Sequence, residues 1–279
     1  MDRPKPNARK RLLANKLRRL RENAGLTQVE AGAPMRFNKN KMSRIELGYL
    51  PDYNGFVALL DRYGVIVSDY DDWVRQYDRA FEKGWWHAYG LDDMSYISLE
   101  ADADEVRVYE FGIVPGLLQT EAGMRAAFAG AREPLSPRRL ENEIAVRLRR
   151  QARLTDDDPP LKFHAIIDES VLRRPDLVPH EQCAQLEQII ERAELPNVTV
   201  QVVPINHGFH SGRNGSFTIL SYPRLREPDI AYIEHGFGSL QFEKAKDVNV
   251  ARLVFRHLAD LALDEPDSIR LIRQVIAET

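Results

Sequence analysis

Between Gly25 and Gly48 the chain reads GLTQVEAGAPMRFNKNKMSRIELG, and its punctuation constrains this segment more tightly than any other part of the sequence. Gly25 follows a basic amphipathic segment, where a helix C-terminus favours a residue tolerant of positive φ. Thr27, with Glu30 three positions on, forms a capping box in which two orphan backbone donors are satisfied reciprocally. Asn38 stands where a side-chain oxygen caps a further helix from Lys39 through Ile45, closed by Gly48. Two short helices about a tight turn, the second loaded with Lys39, Asn40, Lys41, Ser43 and Arg44, have the layout of a DNA-reading helix-turn-helix. Met42 and Ile45 supply the buried face of that helix and leave Lys39, Asn40, Ser43 and Arg44 outward. A merely solvated charged face is the competing reading.

The first of the two helices is less regular. Gly32 costs about 1 kcal/mol against Ala in a helix interior, and Pro34 removes a hydrogen bond at about 3 kcal/mol. The expectation is a short or kinked helix ending near Ala33, with Met35 and Phe37 turned into the core.

Charge is distributed unevenly. The whole chain of 279 residues carries −3, yet residues 1–50 hold thirteen Lys and Arg against four acids, a net +9, leaving −12 on the remainder. A basic N-terminal domain on an acidic body implies that nucleic acid meets one end only. The lone Cys183 excludes an internal disulfide and a cysteine-based zinc site, and its place in a predicted amphipathic helix suggests a small buried hydrophobe. No apolar run approaches a membrane span and the N-terminus lacks the apolar core of a signal peptide. A cytoplasmic location, nucleoid-associated when on DNA, is the expectation, with no membrane partner.

In chain order, residues 1–7 are expected to be a basic lead-in. Leu13, Leu17 and Leu20 mark one face of a first helix from Ala8 to Ala24, with Arg9, Arg11, Arg18 and Arg19 mostly off that face. A fourth helix begins at Pro51-Asp52 with Phe56, Leu59, Leu60 and Tyr63, and a fifth spans Asp69 to Lys83. The domain boundary is placed near Gly84-Trp85-Trp86, giving 1–84 as a helical DNA-binding domain of about five helices and 85–279 as the second domain. The texture then changes. Strand-like VRVYEFGIV turns at Pro115-Gly116, Thr120 caps a helix to Gly130, Ser136-Pro137 opens a long helix to Leu154, and DDDPP (156–160) is a loop. LKFHAIID, VTVQVVP, SFTILSY, DIAYIEH and SLQF alternate with helices near 180–194, Asp247 and Asp267. Five or six strands among flanking helices predict an α/β or α+β sheet domain.

The motifs LRRLRENAGLTQ, KMSRIELG, KGWWHAYG, VPGLLQT, IIDESVLRRP, LPNVTVQVVP and GSLQF together carry a family resemblance that runs nearly end to end. The first 65 residues resemble lambda-repressor/Cro-like helix-turn-helix domains of the xenobiotic-response-element (XRE) class. The full chain resembles actinobacterial regulators in which that domain precedes an antitoxin-like C-terminal domain of unassigned function. The resemblance implies that Gln28 contacts DNA backbone and that Lys39, Asn40, Ser43 and Arg44 face the major groove. It also implies a partly buried structural ion pair between Arg21 and Glu46. Side-chain chemistry reaches the same helix independently: Asn suits adenine and Lys or Arg suits guanine, while Lys41 and Arg36 suit phosphates. Asn38 belongs to the same DNA-binding set through its cap. The implied function is a dimeric transcriptional regulator on double-stranded DNA, whose C-terminal domain senses a small cognate protein encoded nearby or a small-molecule ligand. The alternatives are an antitoxin-like protein that chiefly binds its partner, and an enzyme with a DNA-binding domain.

For the enzyme alternative, His164, Asp168, Glu169, His207, His210, Glu234 and His235 form only a loose pattern. No Walker-type phosphate loop and no G-x-G-x-x-G follow a strand, so neither catalysis nor a cofactor or metal is expected. The Gly-rich loop holding His207 and His210 is a candidate border of a ligand or partner pocket, as are Trp85, Trp86 and Tyr89, with core packing the plainer reading of the aromatics.

Overall fold

The computed structural model describes residues 6–91, 95–131, 133–156, 158–225 and 227–279. Most of the expected basic lead-in, and Asp157 of the expected loop, lie outside the described residues. The chain divides into two compact units, Met1–Leu99 and Glu100–Thr279.

The first unit is helical. Asn7 caps α1 (Ala8–Asn23) by accepting from the Lys10 amide at 2.8 Å. Gly25 beyond its end takes φ +69°, the conformation for which glycine is favoured there. Then come α2 (Gln28–Gly32), a 3₁₀ turn Ala33–Met35, α3 (Lys39–Glu46), α4 (Tyr53–Arg62) and α5 (Tyr70–Phe81). Their apolar faces meet in one core of Leu13, Leu17, Met42, Ile45, Phe56, Leu59, Leu60 and Tyr77, with Met35, Phe37 and Trp73 partly buried against it. Phe56 stacks on Tyr77 at 4.6 Å between ring centroids. Phe81, at the end of α5, is half exposed and lies under the Lys10 ammonium instead of in the core.

A 3₁₀ turn Trp85–Tyr89 and α6 (Ser95–Asp102) follow. The second unit then runs β1 (Glu105–Glu110), α7 (Glu121–Ala129), α8 (Pro137–Ala152), β2 (Lys162–Asp168), α9 (Glu169–Leu172), α10 (Pro179–Ala193), β3 (Val198–Val203), β4 (Phe217–Tyr222), β5 (Glu227–His235), β6 (Gly238–Phe242), α11 (Ala245–Leu261) and α12 (Glu265–Glu278). Thr120 and Ser136 cap α7 and α8 through their hydroxyls.

The strands form one six-stranded sheet in the order β3-β2-β1-β4-β5-β6. Val108 of β1 pairs in parallel with Ala165 of β2, and Ala165 with Val200 of β3. On the other side Val108 pairs antiparallel with Thr218 of β4, and β5 and β6 continue antiparallel. The helices between the first three strands make the long crossovers that parallel pairing requires. Tyr109, Ile166, Val203 and Ile219, one from each of four strands, bury one face of the sheet against Phe255 and Leu258 of α11. The prediction of a helical domain followed by an α/β or α+β domain with five or six strands is met; the sheet has six strands and mixes parallel and antiparallel pairs.

One sequence expectation is corrected here, and one helix is new. Cys183 is only partly buried in α10, because its position falls between the Gln182 and Leu186 face and solvent. Helix α6 was not foreseen. It carries Glu100, fully buried and held by Arg150 of α8 through two bonds, 2.7 Å and 2.8 Å.

Candidate nucleic-acid interface

The α2–α3 segment is fixed by local chemistry at each joint. The Thr27 hydroxyl accepts from the Glu30 amide at 3.2 Å while the Glu30 carboxylate accepts from the Thr27 amide at 2.8 Å, completing the capping box. Helix α2 stops at Gly32, and Pro34 sits in the first turn of the following 3₁₀ segment, where its missing N–H costs little. The Phe37 amide bonds back to the Gly32 carbonyl at 2.9 Å. A Cβ on Gly32 would overlap the Phe37 carbonyl oxygen and stand 2.9 Å from Met42 Cγ, so the two helices approach over a glycine that leaves room for nothing larger. Arg36 turns the chain with φ +54°, a left-handed conformation that an L side chain adopts at a cost. Asn38 then caps α3, its oxygen accepting from the Lys41 amide at 2.8 Å.

Helix α3 divides as its sequence predicts. Met42 and Ile45 are buried, whereas Lys39, Asn40, Lys41 and Arg44 are exposed and Ser43 is partly so. The Lys41 ammonium lies 3.4 Å from the centroid of the Phe37 ring, and the Arg44 guanidinium 5.0 Å from that of Tyr49. These aromatic supports limit the rotamer freedom of two exposed cations. Sequence reading missed Tyr49, which stands five residues beyond Arg44 between Gly48 and Leu50 and has no basic neighbour to mark it.

Behind this face, Arg21 of α1 grips Glu46 at the end of α3 through two bonds, Nε to Oε1 at 2.5 Å and Nη2 to Oε2 at 3.1 Å. Its Nη1 donates to the Leu26 carbonyl at 2.6 Å. The hydrogen bond to Glu46 pushes the guanidinium pKa upward, so this group is charged throughout the accessible pH range. Gln28 donates its amide to the same carboxylate at 2.9 Å, which ties the start of α2 into the pair. Arg21 and Glu46 therefore lock α1, α2 and α3 together, and Gln28 is held in place at the α2 N-terminus.

Of the helix-one arginines, Arg18 and Arg19 are exposed, Arg18 pairing with Glu22 at 2.8 Å. Arg9 instead reaches the Arg79 carbonyl in the last turn of α5 and Glu82 just beyond it, and Arg11 is partly buried beside Gly48. Arg36 is exposed.

The remaining candidates fall into both units. Trp85 and Trp86 belong to the first, edge to face at 5.8 Å, with Trp86 buried. His207 and His210 belong to the second, in the loop after β3, with rings 6.2 Å apart. His207 is exposed, whereas the His210 side chain is 2% exposed and its Nε2 lies 3.6 Å from Asp168 Oδ2. Desolvation pushes the His210 pKa down. His164 is engaged elsewhere, bonding Gln201 at 2.8 Å and packing on Phe255. Glu169 accepts from the Ile205 amide and from Arg173, which makes it a structural anchor for the same loop. His235 lies in the β5–β6 hairpin against Phe237. Among the described residues no three His, Cys, Asp or Glu side chains converge in a way that would hold a metal. No helix among them is long and apolar enough to cross a membrane.

A capped helix pair with a basic, outward-facing second helix defines the class: a helix-turn-helix protein of the DNA-binding regulator type. Residues 12–71 match the family described as a helix-turn-helix domain. Residues 94–274, well over half of the chain, match the family described as a domain of unknown function (DUF5753), and the chain belongs to that family. No curated protein and no solved structure matches it.

Proposed function

We propose that the chain is a sequence-specific transcriptional regulator of the XRE class that works on the nucleoid in the cytoplasm. It binds double-stranded DNA as a homodimer and places one α3 in each of two successive major grooves. Half-sites for such dimers lie about 34 Å apart, one helical turn. The observation that carries this reading is the division of α3, with Lys39, Asn40 and Arg44 exposed on a helix whose other face, Met42 and Ile45, is locked in the core. Asn40 is assigned to adenine and Lys39 and Arg44 to guanine, with Ser43 beside them, each good pair discriminating by about 1–3 kcal/mol. Lys41, Arg36 and Gln28 contact phosphates, which set affinity and its salt dependence but not sequence. The second unit adjusts DNA binding in response to a small molecule or a small protein partner.

Selection of bound sequences from a random DNA pool tests the first part. The wild-type chain is expected to enrich a two-fold symmetric site. The variant Asn40→Ala/Arg44→Ala keeps its helical circular dichroism and enriches nothing. Enrichment of the same site by that variant would falsify the assignment of α3.

A further inference from the structure

The loop after β3 and the end of β1 enclose polar groups that the fold itself leaves unsatisfied. The Tyr109 hydroxyl, His210 Nδ1 and Ser211 Oγ are buried without a hydrogen-bond partner among the described residues. An unmade hydrogen bond at a buried group costs about 1–3 kcal/mol, and native structures hold few of them. Here three occur in one neighbourhood. The His210 and Tyr109 rings meet edge to face at 6.4 Å, and Ser211 is next in sequence to His210. Gly212 is pressed so closely on the phenol that a Cβ there would overlap the Tyr109 ring and hydroxyl. Tyr109 and Asp168 lie at the carboxyl ends of the parallel strands β1 and β2, where open α/β sheets place their ligands.

An apolar cavity of about 390 Å³ adjoins this group, within the range of small-molecule sites. It opens between β4–β6 and α11, with Phe217, Ile233, Phe242 and Val254 among its walls. Ser211 belongs both to the cavity wall and to the unsatisfied group, and Phe217 spans from the wall to Tyr109, 6.2 Å between ring centroids. The ionisable side chain in the lining is Asp247, whose carboxylate disfavours an anionic occupant.

We propose that this cavity binds an uncharged small molecule with an apolar body of fused-ring size and a hydroxyl end, the hydroxyl exchanging hydrogen bonds with Ser211, the member of the unsatisfied group that lines the cavity. The proposal rests on the reading of the second unit as a regulatory domain and deepens it by naming the ligand chemistry. It explains why a hydroxyl in the wall of an apolar cavity has no partner: the ligand body supplies burial and Ser211 supplies orientation.

The test uses 2-naphthol, followed by its own fluorescence, titrated into the full-length chain, with naphthalene as the comparison that lacks the hydroxyl. Saturable binding at one site per chain is expected, with naphthalene at least tenfold weaker. Ser211→Ala should weaken 2-naphthol about tenfold and leave naphthalene unchanged, while Val254→Trp, which fills the cavity, should abolish both. Absence of saturable 2-naphthol binding overturns the site, as does binding indifferent to both substitutions. Ser211→Ala removes one surface-shielded oxygen and keeps the fold, so the result does not depend on the bulkier variant. DNA affinity measured with and without 2-naphthol separates the two levels. Binding without any change in DNA affinity upholds the site and overturns the regulatory reading.

Discussion

The Glu110 carboxyl, at the end of β1 on the face opposite Tyr109, is pushed up to about 7. Burial is the main cause, opposed by a hydrogen bond with Ser216 and reinforced by the charge of Glu234. Its unfolded value is near 4.3. Below that pH the group is protonated in both states and costs nothing. Between about 4.3 and 7 the unfolded chain releases the proton while the folded chain keeps it, so stability falls as pH rises and levels off above 7. The full loss is at most about 4 kcal/mol, from the size of the shift. His164 and His210, both pushed down by desolvation, run the other way as pH rises, so the wild-type curve alone mixes the effects. The difference between wild type and Glu110→Gln isolates the carboxyl. In urea unfolding of the second unit, Glu110→Gln should be more stable than wild type at pH 8 and lose that advantage by pH 4.5. A pH-independent difference would contradict the assignment.

At the scale of elements, the α2–α3 joint shows where local propensity and packing disagree. By helix propensity alone Gly32→Ala should stabilise α2 by about 1 kcal/mol. The added methyl would meet the Phe37 carbonyl, a backbone atom held by its own turn, and the buried Met42 side chain. Overpacking against backbone costs about 1–3 kcal/mol, so the net change is expected to be destabilising in urea unfolding. DNA affinity should fall with it, because relief of the overlap moves α3. Net stabilisation would show that the joint is looser than its geometry. The same joint marks the limit of the sequence reading. Thr27, Glu30, Asn38 and Gly25 announced their elements because caps and turns act over three or four residues. Gly32 read as a defect because its reason is Phe37 and Met42, brought close only by the turn. Helix α6 was missed for a related cause, since its buried Glu100 makes sense only beside Arg150, fifty residues away. In the second unit His210 and Asp168 were visible as candidates for chemistry. Tyr109 and Ser211 were not, because a tyrosine in a strand and a serine in a loop carry no signal until the fold leaves their hydroxyls unpaired.

For the molecule as a whole, two compact units with separate hydrophobic cores predict two cooperative transitions in calorimetry and not one. Charge sharpens the contrast, since the basic excess lies in residues 1–50 and the acidic excess beyond them. Substitutions at one carboxylate in each unit, Glu46 and Glu110, can assign the transitions. Glu46→Ala leaves Arg21 buried without its main partner and Gln28 without its acceptor. Breaking a buried pair in this way costs about 3–5 kcal/mol. A domain of this size shifts its midpoint by about 4–8 °C per kcal/mol, so the helical unit should melt at least 10 °C earlier. The transition of the sheet unit should stay in place. Glu110→Gln at pH 8 should do the reverse, raising the sheet transition and leaving the helical one unmoved. If both variants instead displace a single endotherm, the two cores unfold as one, and an event in the sheet domain would then reach α3 through global stability. If the transitions separate as expected, the control of DNA binding proposed for the second unit has to act on the native state, through the arrangement or assembly of folded domains.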